Sequence, residues 1–206
     1  MLETAHAANH ATPSLTFRGV HHLALNTDDM KSTLEFYTEV LGMRLAHAMK
    51  VPPGLGTGPL NRGNPPYENI RHYLFDMGND SVLAFFEIPK GAQGRADRND
   101  VAGLQHLALA ASPEAAAQII ERLRRHGIAM QGPIEGVPGL QSVYFQDPNA
   151  IRLELAWRPI DAEDDVRVIE SVRQGRDSAA RELATIDGDP RWVDRMLRHF
   201  VSDDVR

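Results

Sequence analysis

Two histidines stand at equivalent points of a repeated heptapeptide. Gly19-Val20-His21-His22-Leu23-Ala24-Leu25 returns, 84 residues on, as Gly103-Leu104-Gln105-His106-Leu107-Ala108-Leu109, with five of seven positions identical. Such self-similarity marks a duplicated unit. Side chains alternate along a strand, so His22 shares a face with Ala24, and Leu23 and Leu25 take the other. The leucines are expected to meet a helix, which turns His22, and His106 in its copy, toward the opposite side. A third group joins them: Glu154 lies mid-strand in Ile151-Arg152-Leu153-Glu154-Leu155-Ala156-Trp157. A buried carboxylate costs several kcal/mol unless it is paired, so it wants a metal, a base or a raised pKa. Two imidazoles and one carboxylate make a facial ligand set that leaves positions open on a metal for substrate.

Composition agrees with that chemistry and removes others. The chain of 206 residues has nine His and no Cys. Disulfides, zinc–thiolate sites, iron–sulfur clusters and a Cys nucleophile are therefore excluded. The content of 42% hydrophobic and 24% charged residues is that of a globular protein. The net charge of −6 argues against a general grip on nucleic acid or an anionic membrane. No stretch approaches 18 uninterrupted apolar residues, and residues 1–14 have no apolar signal core, so a cytoplasmic location is expected. That polar leader, with His6 and His10, reads as disordered.

The elements that must position His22, His106 and Glu154 follow from the pattern around them. After the first repeat, Asp28 or Asp29 is placed to cap a helix with Leu34, Tyr37 and Leu41 on one face, ending at Gly42. After the second, Ser112 caps a helix that begins at Pro113, carries Ile119, Ile120 and Leu123, and ends at Gly127. Strands are predicted over 43–49, 70–76 and 81–88 in the first copy, with a turn at Met77–Asp80. The second copy has strands over 128–134, 141–146 and 150–157, with a turn at Asp147-Pro148-Asn149. The repeat is also read as aligning Tyr73-Leu74-Phe75-Asp76 with Tyr144-Phe145-Gln146-Asp147. The fold class is thus α+β, with two βαβββ modules, over 15–90 and 101–158, forming a single metal-binding cleft. The first module carries an insertion rich in Pro and Gly over 51–67, expected to be a lid or rim.

Residues 161–206 form a C-terminal helical extension. They hold 8 Arg and 12 Asp+Glu, which is −4 of the total −6. Val166, Ile169 and Val172 give one stripe. Asp189-Pro190 starts a last helix with Trp192, Met196 and Phe200 on one face and Val193, Leu197 and Val201 beside it. So much apolar surface has to be buried, against the modules or another subunit. A homodimer is one expectation.

These motifs resemble the vicinal oxygen chelate superfamily, the group of glyoxalase I, extradiol dioxygenases, fosfomycin-resistance transferases, methylmalonyl-CoA epimerase and bleomycin-binding proteins. The matching residues are His22-Leu23-Ala24-Leu25, Asp28-Asp29, Phe36-Tyr37 and Val40-Leu41-Gly42 in the first half. In the second half they are Gln105-His106-Leu107-Ala108-Leu109 and Phe145-Gln146-Asp147-Pro148-Asn149 leading to Leu153-Glu154-Leu155. The resemblance covers about residues 17–158 and implies a divalent metal on His22, His106 and Glu154. The family's fourth ligand position falls at Ala84, where glyoxalases usually carry Glu. Glu87 lies three residues on, and alternation aims it at the other face unless a bulge intervenes.

A three-ligand site is more similar to the extradiol dioxygenases, which hold Fe(II) or sometimes Mn(II) and chelate a small aromatic diol through both oxygens. That branch carries a Tyr ten residues before its Glu, and Tyr144 matches the spacing, placed to donate a hydrogen bond to substrate. It also uses an acid–base His outside the metal shell, for which His72 is the candidate. His47, His126 and His199 read as peripheral. Other branches stay open: a glyoxalase- or epimerase-like lyase or isomerase with Zn, Ni or Co and Glu87 in the metal shell, a fosfomycin-type transferase, or a metal-free binding protein of the bleomycin-resistance kind. The expected partner is a small molecule, not a nucleic acid or a membrane.

Overall fold

The structure, a computed structural model, describes residues 19–51, 70–137, 139–158, 168 and 174–200. The leader, nearly all of the 51–67 insertion and the Val166, Ile169 and Val172 stripe lie outside the described residues. The order of elements is β1 (His22–Thr27), α1 (Met30–Glu35) with a π-helical turn over Phe36–Val40, β2 (Arg44–Lys50), β3 (Arg71–Gly78) and β4 (Ser81–Glu87). Then come β5 (Leu107–Ala110), α2 (Pro113–Arg125), β6 (Met130–Val137), β7 (Leu140–Gln146), β8 (Arg152–Trp157), α3 (Arg176–Ile186) and α4 (Pro190–Leu197). Each βαβββ copy makes one mixed four-stranded sheet, in the orders β1-β4-β3-β2 and β5-β8-β7-β6. The expected α+β architecture of two such modules with C-terminal helices is therefore present.

In the first sheet β1 runs parallel to β4, with Ala24 opposite Ala84 and Thr27 opposite Glu87. The β3–β4 hairpin closes on Asn79-Asp80, both at positive φ (48° and 56°), which matches the right-handed twist of the strands it joins. The helix after β1 starts as expected: Asp29 Oδ1 accepts from Ser32 N at 3.0 Å. Its second half departs from a regular α-helix. Leu41 N reaches back five residues to Phe36 O at 3.1 Å. Phe36, Tyr37, Val40 and Leu41 of this widened turn and its end are all buried.

Tyr37 is fully buried, its ring 5.0 Å from that of Phe85 and 5.6 Å from that of Phe75. Its hydroxyl donates to Asp147 Oδ2 at 3.1 Å. Burial raises the tyrosine pKa well above its ordinary value, and the Asp147 charge adds to this.

Two compact units emerge from the described residues. The first takes those up to Leu107 together with Gln118–Met130 and Phe145–Leu153. Within it, Arg122 of α2 donates to the Val40 and Leu41 carbonyls at 2.6 and 3.1 Å, satisfying acceptors at the end of the π-helical turn. The second unit takes Ala108–Ala117, Gln131–Tyr144 and the residues from Glu154 onward. Its helices α3 and α4 pack on each other: Val193 and Leu197 are buried with Ala179, and Trp192 and Phe200 flank them. Asp189 caps α4 through Arg191 N at 3.0 Å. Arg176 closes its far end on Leu197 O at 2.8 Å.

Candidate functional site

His22 opens β1 and is exposed, like Ala24 and Asn26 after it, while Leu23 and Leu25 are half-buried. The register extends this face across the first sheet. Ala24 pairs with Ala84, Ala84 with Leu74, Phe86 with His72, and His72 with Met49. His22, His72 and, two residues before Met49, His47 therefore share one side, away from Tyr37, Phe75 and Phe85. His47 is exposed on β2.

The His72 ring lies flat on Phe86, with centroids 3.9 Å apart and planes 11° apart. Its Nδ1 is 3.2 Å from Phe85 O. A carbonyl only accepts, so Nδ1 carries the proton and Nε2 is the basic nitrogen of the neutral ring. Burial pushes the His72 pKa below its ordinary value, against the pull of that hydrogen bond, and nearby His22 and His47 push the same way. His72 is thereby neutral at pH 7 with Nε2 able to take a proton.

The residue preceding each repeated histidine touches its ring. His21 Nδ1 and His22 Nδ1 are 2.9 Å apart, so one donates and the other accepts. In the second copy the His106 Nδ1 donates to Gln105 Oε1. Both contacts engage the repeated imidazole at Nδ1. The doublet at 21–22 and the Gln105-His106 pair were visible in the repeat, but an adjacent polar residue gives no sign by itself of which ring atom it will meet.

Glu154 is buried on β8, 8% exposed, and accepts from Ser142 Oγ of β7 at 2.6 Å. The expected need for a partner is met in part by that hydroxyl. No sequence signal marks Ser142, because the β7–β8 register does not follow from the chain alone. Tyr144, two residues on, shares the Ser142 face of β7 and is half-buried. Glu87 has no bulge between it and Ala84. It stands on the helix face, where Oε1 accepts from Met30 N at 2.9 Å and Oε2 pairs with Arg71. It is engaged as the anionic partner of the α1 N-terminus.

The proposed donor set suits a divalent ion in kind, being two imidazoles and a carboxylate. Among the described residues, however, no three His, Cys, Asp or Glu side chains converge on a point that would hold a metal. His22 opens β1, His106 immediately precedes β5, and Glu154 lies within β8.

The Asp147-Pro148-Asn149 motif has a structural role. Asp147 Oδ1 accepts from Asn149 N and Ile151 N at 2.9 and 2.8 Å. Asn149 bonds Thr27 Oγ1 at 2.7 Å and Thr33 Oγ1 at 3.2 Å. Burial raises the Asp147 pKa although these bonds favour its charged form. The repeat alignment shifts by one residue here. Phe75 and Phe145 are both buried while Gln146 is exposed, so Phe75 corresponds to Phe145, and the same spacing of 70 residues sets Ala84 against Glu154. A one-residue slip would have reversed every side chain.

Two sheets of this topology, with a histidine at the head of each first strand and a carboxylate on the last, define a chelate-type fold. Residues 19–155 match the family model of the Glyoxalase/Bleomycin resistance protein/Dioxygenase superfamily, and the chain belongs to that superfamily. It is 29% identical over 163 residues to a 2-epi-5-epi-valiolone epimerase from Actinomyces sp., a match covering 73% of this chain and 87% of the epimerase. It is 36% identical over 72 residues to an iron-dependent extradiol dioxygenase from Rhodococcus jostii (strain RHA1), covering 35% of this chain and 23% of that protein. A glyoxalase/dioxygenase from Nostoc punctiforme superposes with a TM-score of 0.52 at 25% identity, covering 75% of this chain and all of that one. Members of the superfamily typically bind a divalent metal, and most are enzymes acting on small molecules. No helix among the described residues is long and apolar enough to cross a membrane.

Proposed function

We propose that the protein is a metal-dependent enzyme resembling the extradiol ring-cleavage dioxygenases, acting on a small aromatic diol. The observation that carries this reading is the state of the fourth ligand position. Ala84 occupies it, and Glu87 is bonded to Met30 N and Arg71. A three-ligand set keeps room for two substrate oxygens and a co-substrate.

His22, His106 and Glu154 would hold the ion, Fe(II) or Mn(II) ahead of Zn, Ni or Co. Bound there, it would supply Lewis-acid binding of the diol and, if iron or manganese, redox chemistry with O₂. His21 and Gln105 orient the imidazoles, and Ser142 orients Glu154. His72 Nε2 receives a proton from a diol hydroxyl, since the neutral ring is the form its surroundings favour. Tyr144 donates a hydrogen bond to the bound substrate. A homodimer belongs to this proposal, with the C-terminal helices as the candidate contact. So do the division into a leader, two modules and a helical extension, and a cytoplasmic location.

Metal analysis with oxygen uptake on a panel of catechols tests the reading. Iron or manganese bound in proportion to protein, with O₂ consumed, is the expected result. Protein that takes up neither metal and consumes no O₂ with any diol overturns it. One other reading has its own support: the long match to the epimerase. There His72 would serve as the base that Glu87 is not placed to be. It predicts deuterium exchange from solvent beside a substrate carbonyl without oxygen uptake.

A further inference from the structure

Two phenylalanines stand side by side on β4 and face opposite ways. Phe85 is fully buried, its ring 5.0 Å from that of Tyr37 and 6.1 Å from that of Phe75. Phe86 takes the other face of the sheet, the one that carries His22, and is half-buried there. The register sets it between two polar residues, His72 on β3 and Asn26 on β1. Among the described residues, the ring that covers it is the His72 imidazole, with centroids 3.9 Å and planes 11° apart.

That stack acts together with the neighbouring backbone. His72 Nδ1 is 3.2 Å from Phe85 O, and the carbonyl only accepts. One hydrogen bond fixes a distance, but it leaves the imidazole free to turn about its last side-chain torsion, which is intrinsically broad. A flat ring against the imidazole removes that freedom, because a turned His72 would strike Phe86 edge-on. The two ring nitrogens are separated by one carbon. With Nδ1 held at the strand, Nε2 is therefore the nitrogen left clear of Phe85 O. Burial is the main cause of the lowered His72 pKa, as expected when one face of the ring is covered.

We infer that Phe86 is the positioning residue for His72, its flat ring holding the imidazole with the proton on Nδ1 and Nε2 unprotonated. Phe86 acts through His72 and not on the substrate. Its part in catalysis rests on the functional reading above, in which His72 Nε2 receives a proton, whereas its part in fixing the ring does not. An aliphatic residue at 86 would fill similar space but offer no plane. The imidazole would then turn between orientations in which either nitrogen meets Phe85 O, and the basic nitrogen would be presented only part of the time.

The test reads the His72 tautomer in the full-length protein by nitrogen NMR of the imidazole at about pH 8, where the ring is neutral. The His72 signals are assigned by their loss in His72→Gln. No substrate or metal is added, so the result does not depend on the reaction. The Nδ1–H form is expected to outweigh the Nε2–H form about tenfold. Phe86→Leu should bring the two forms within about twofold of each other. Phe86→Tyr, which keeps the flat ring, should restore the native ratio. Phe86→Met carries the same arm should the leucine variant melt early. A native ratio in the leucine or methionine variant overturns the proposal, as does a native protein without an Nδ1–H majority. Loss of the ratio in the tyrosine variant overturns the role given to the ring plane. Steady-state kinetics with catechol keep the two claims apart. Phe86→Leu should lower kcat about tenfold with KM changed less than about twofold, and Phe86→Tyr should restore it. A shifted tautomer ratio with unchanged kcat overturns the catalytic part and leaves the ring-fixing part standing. No oxygen uptake by the native protein removes the dioxygenase reading, and the tautomer ratio alone then decides the role of Phe86.

Discussion

The last strands of the two modules carry the same backbone to different ends. In β4 the central inward position is Ala84, fully buried and paired with Leu74. In β8 the corresponding residue is Glu154, also buried, but with the Ser142 hydroxyl in place to receive its charge. The hairpin turns differ as well. Asn79-Asp80 closes β3–β4 at the surface, whereas Asp147 to Asn149 closes β7–β8 on a buried polar network with Tyr37, Thr27 and Thr33. Duplication thus supplied two equal frames, and the copies then divided the work. In the proposed function the first would contribute His22 and a neutral base, His72, while the second would contribute His106, a carboxylate and a tyrosine.

Exchanging the two central residues is the severest way to break that comparison. Ala84→Glu would place a carboxylate where the neighbour is Leu74 and no hydroxyl is in register. A loss of about 3 kcal/mol or more in urea unfolding is expected. The converse, Glu154→Ala, should leave the fold intact and abolish metal uptake, read by equilibrium dialysis with Mn(II). Retained metal affinity in that variant would remove Glu154 from the ligand set.

The turn network should show the next largest effect. Asp147→Ala leaves the Tyr37 hydroxyl and two backbone N–H groups without their acceptor, at a cost of about 2–3 kcal/mol, seen as a lower melting temperature. Asn79→Ala in the first copy's exposed turn should cost about 1 kcal/mol, since its φ of 48° is a conformation alanine adopts less readily.

The smallest effect concerns pH. Because the folded His72 has a lowered pKa, below about pH 6.5 the unfolded chain binds a proton that the folded one does not. Stability should therefore fall as pH drops through 6.5 toward the lowered value, and His72→Phe should flatten that slope. Activity in the same variant should fall about 10²-fold or more if Nε2 is the base.

Much of this was legible along the chain. The repeat gave two modules, the alternation in His22-Leu23-Ala24-Leu25 gave the face of the histidine, and Gly42 and Gly127 marked helix ends that have the expected positive φ. The same alternation already aimed Glu87 away from Ala84. Less legible were partners set by pairing between distant segments. Ser142 meets Glu154, and Asn149 meets Thr27, only because strand register and a hairpin turn bring them together. Phe36 and Tyr37 gave no sign of a π-helical turn, since one extra residue in a turn leaves no mark in the local pattern.

Sequence alone determined the types of ligand, the duplication and the absence of thiol chemistry, because composition and period are properties of the chain. Tertiary structure alone decided that Glu87 serves a helix N-terminus and that His72 keeps its proton on Nδ1. Those outcomes depend on which atoms come within hydrogen-bond reach. That is fixed by register and packing between segments far apart in the sequence.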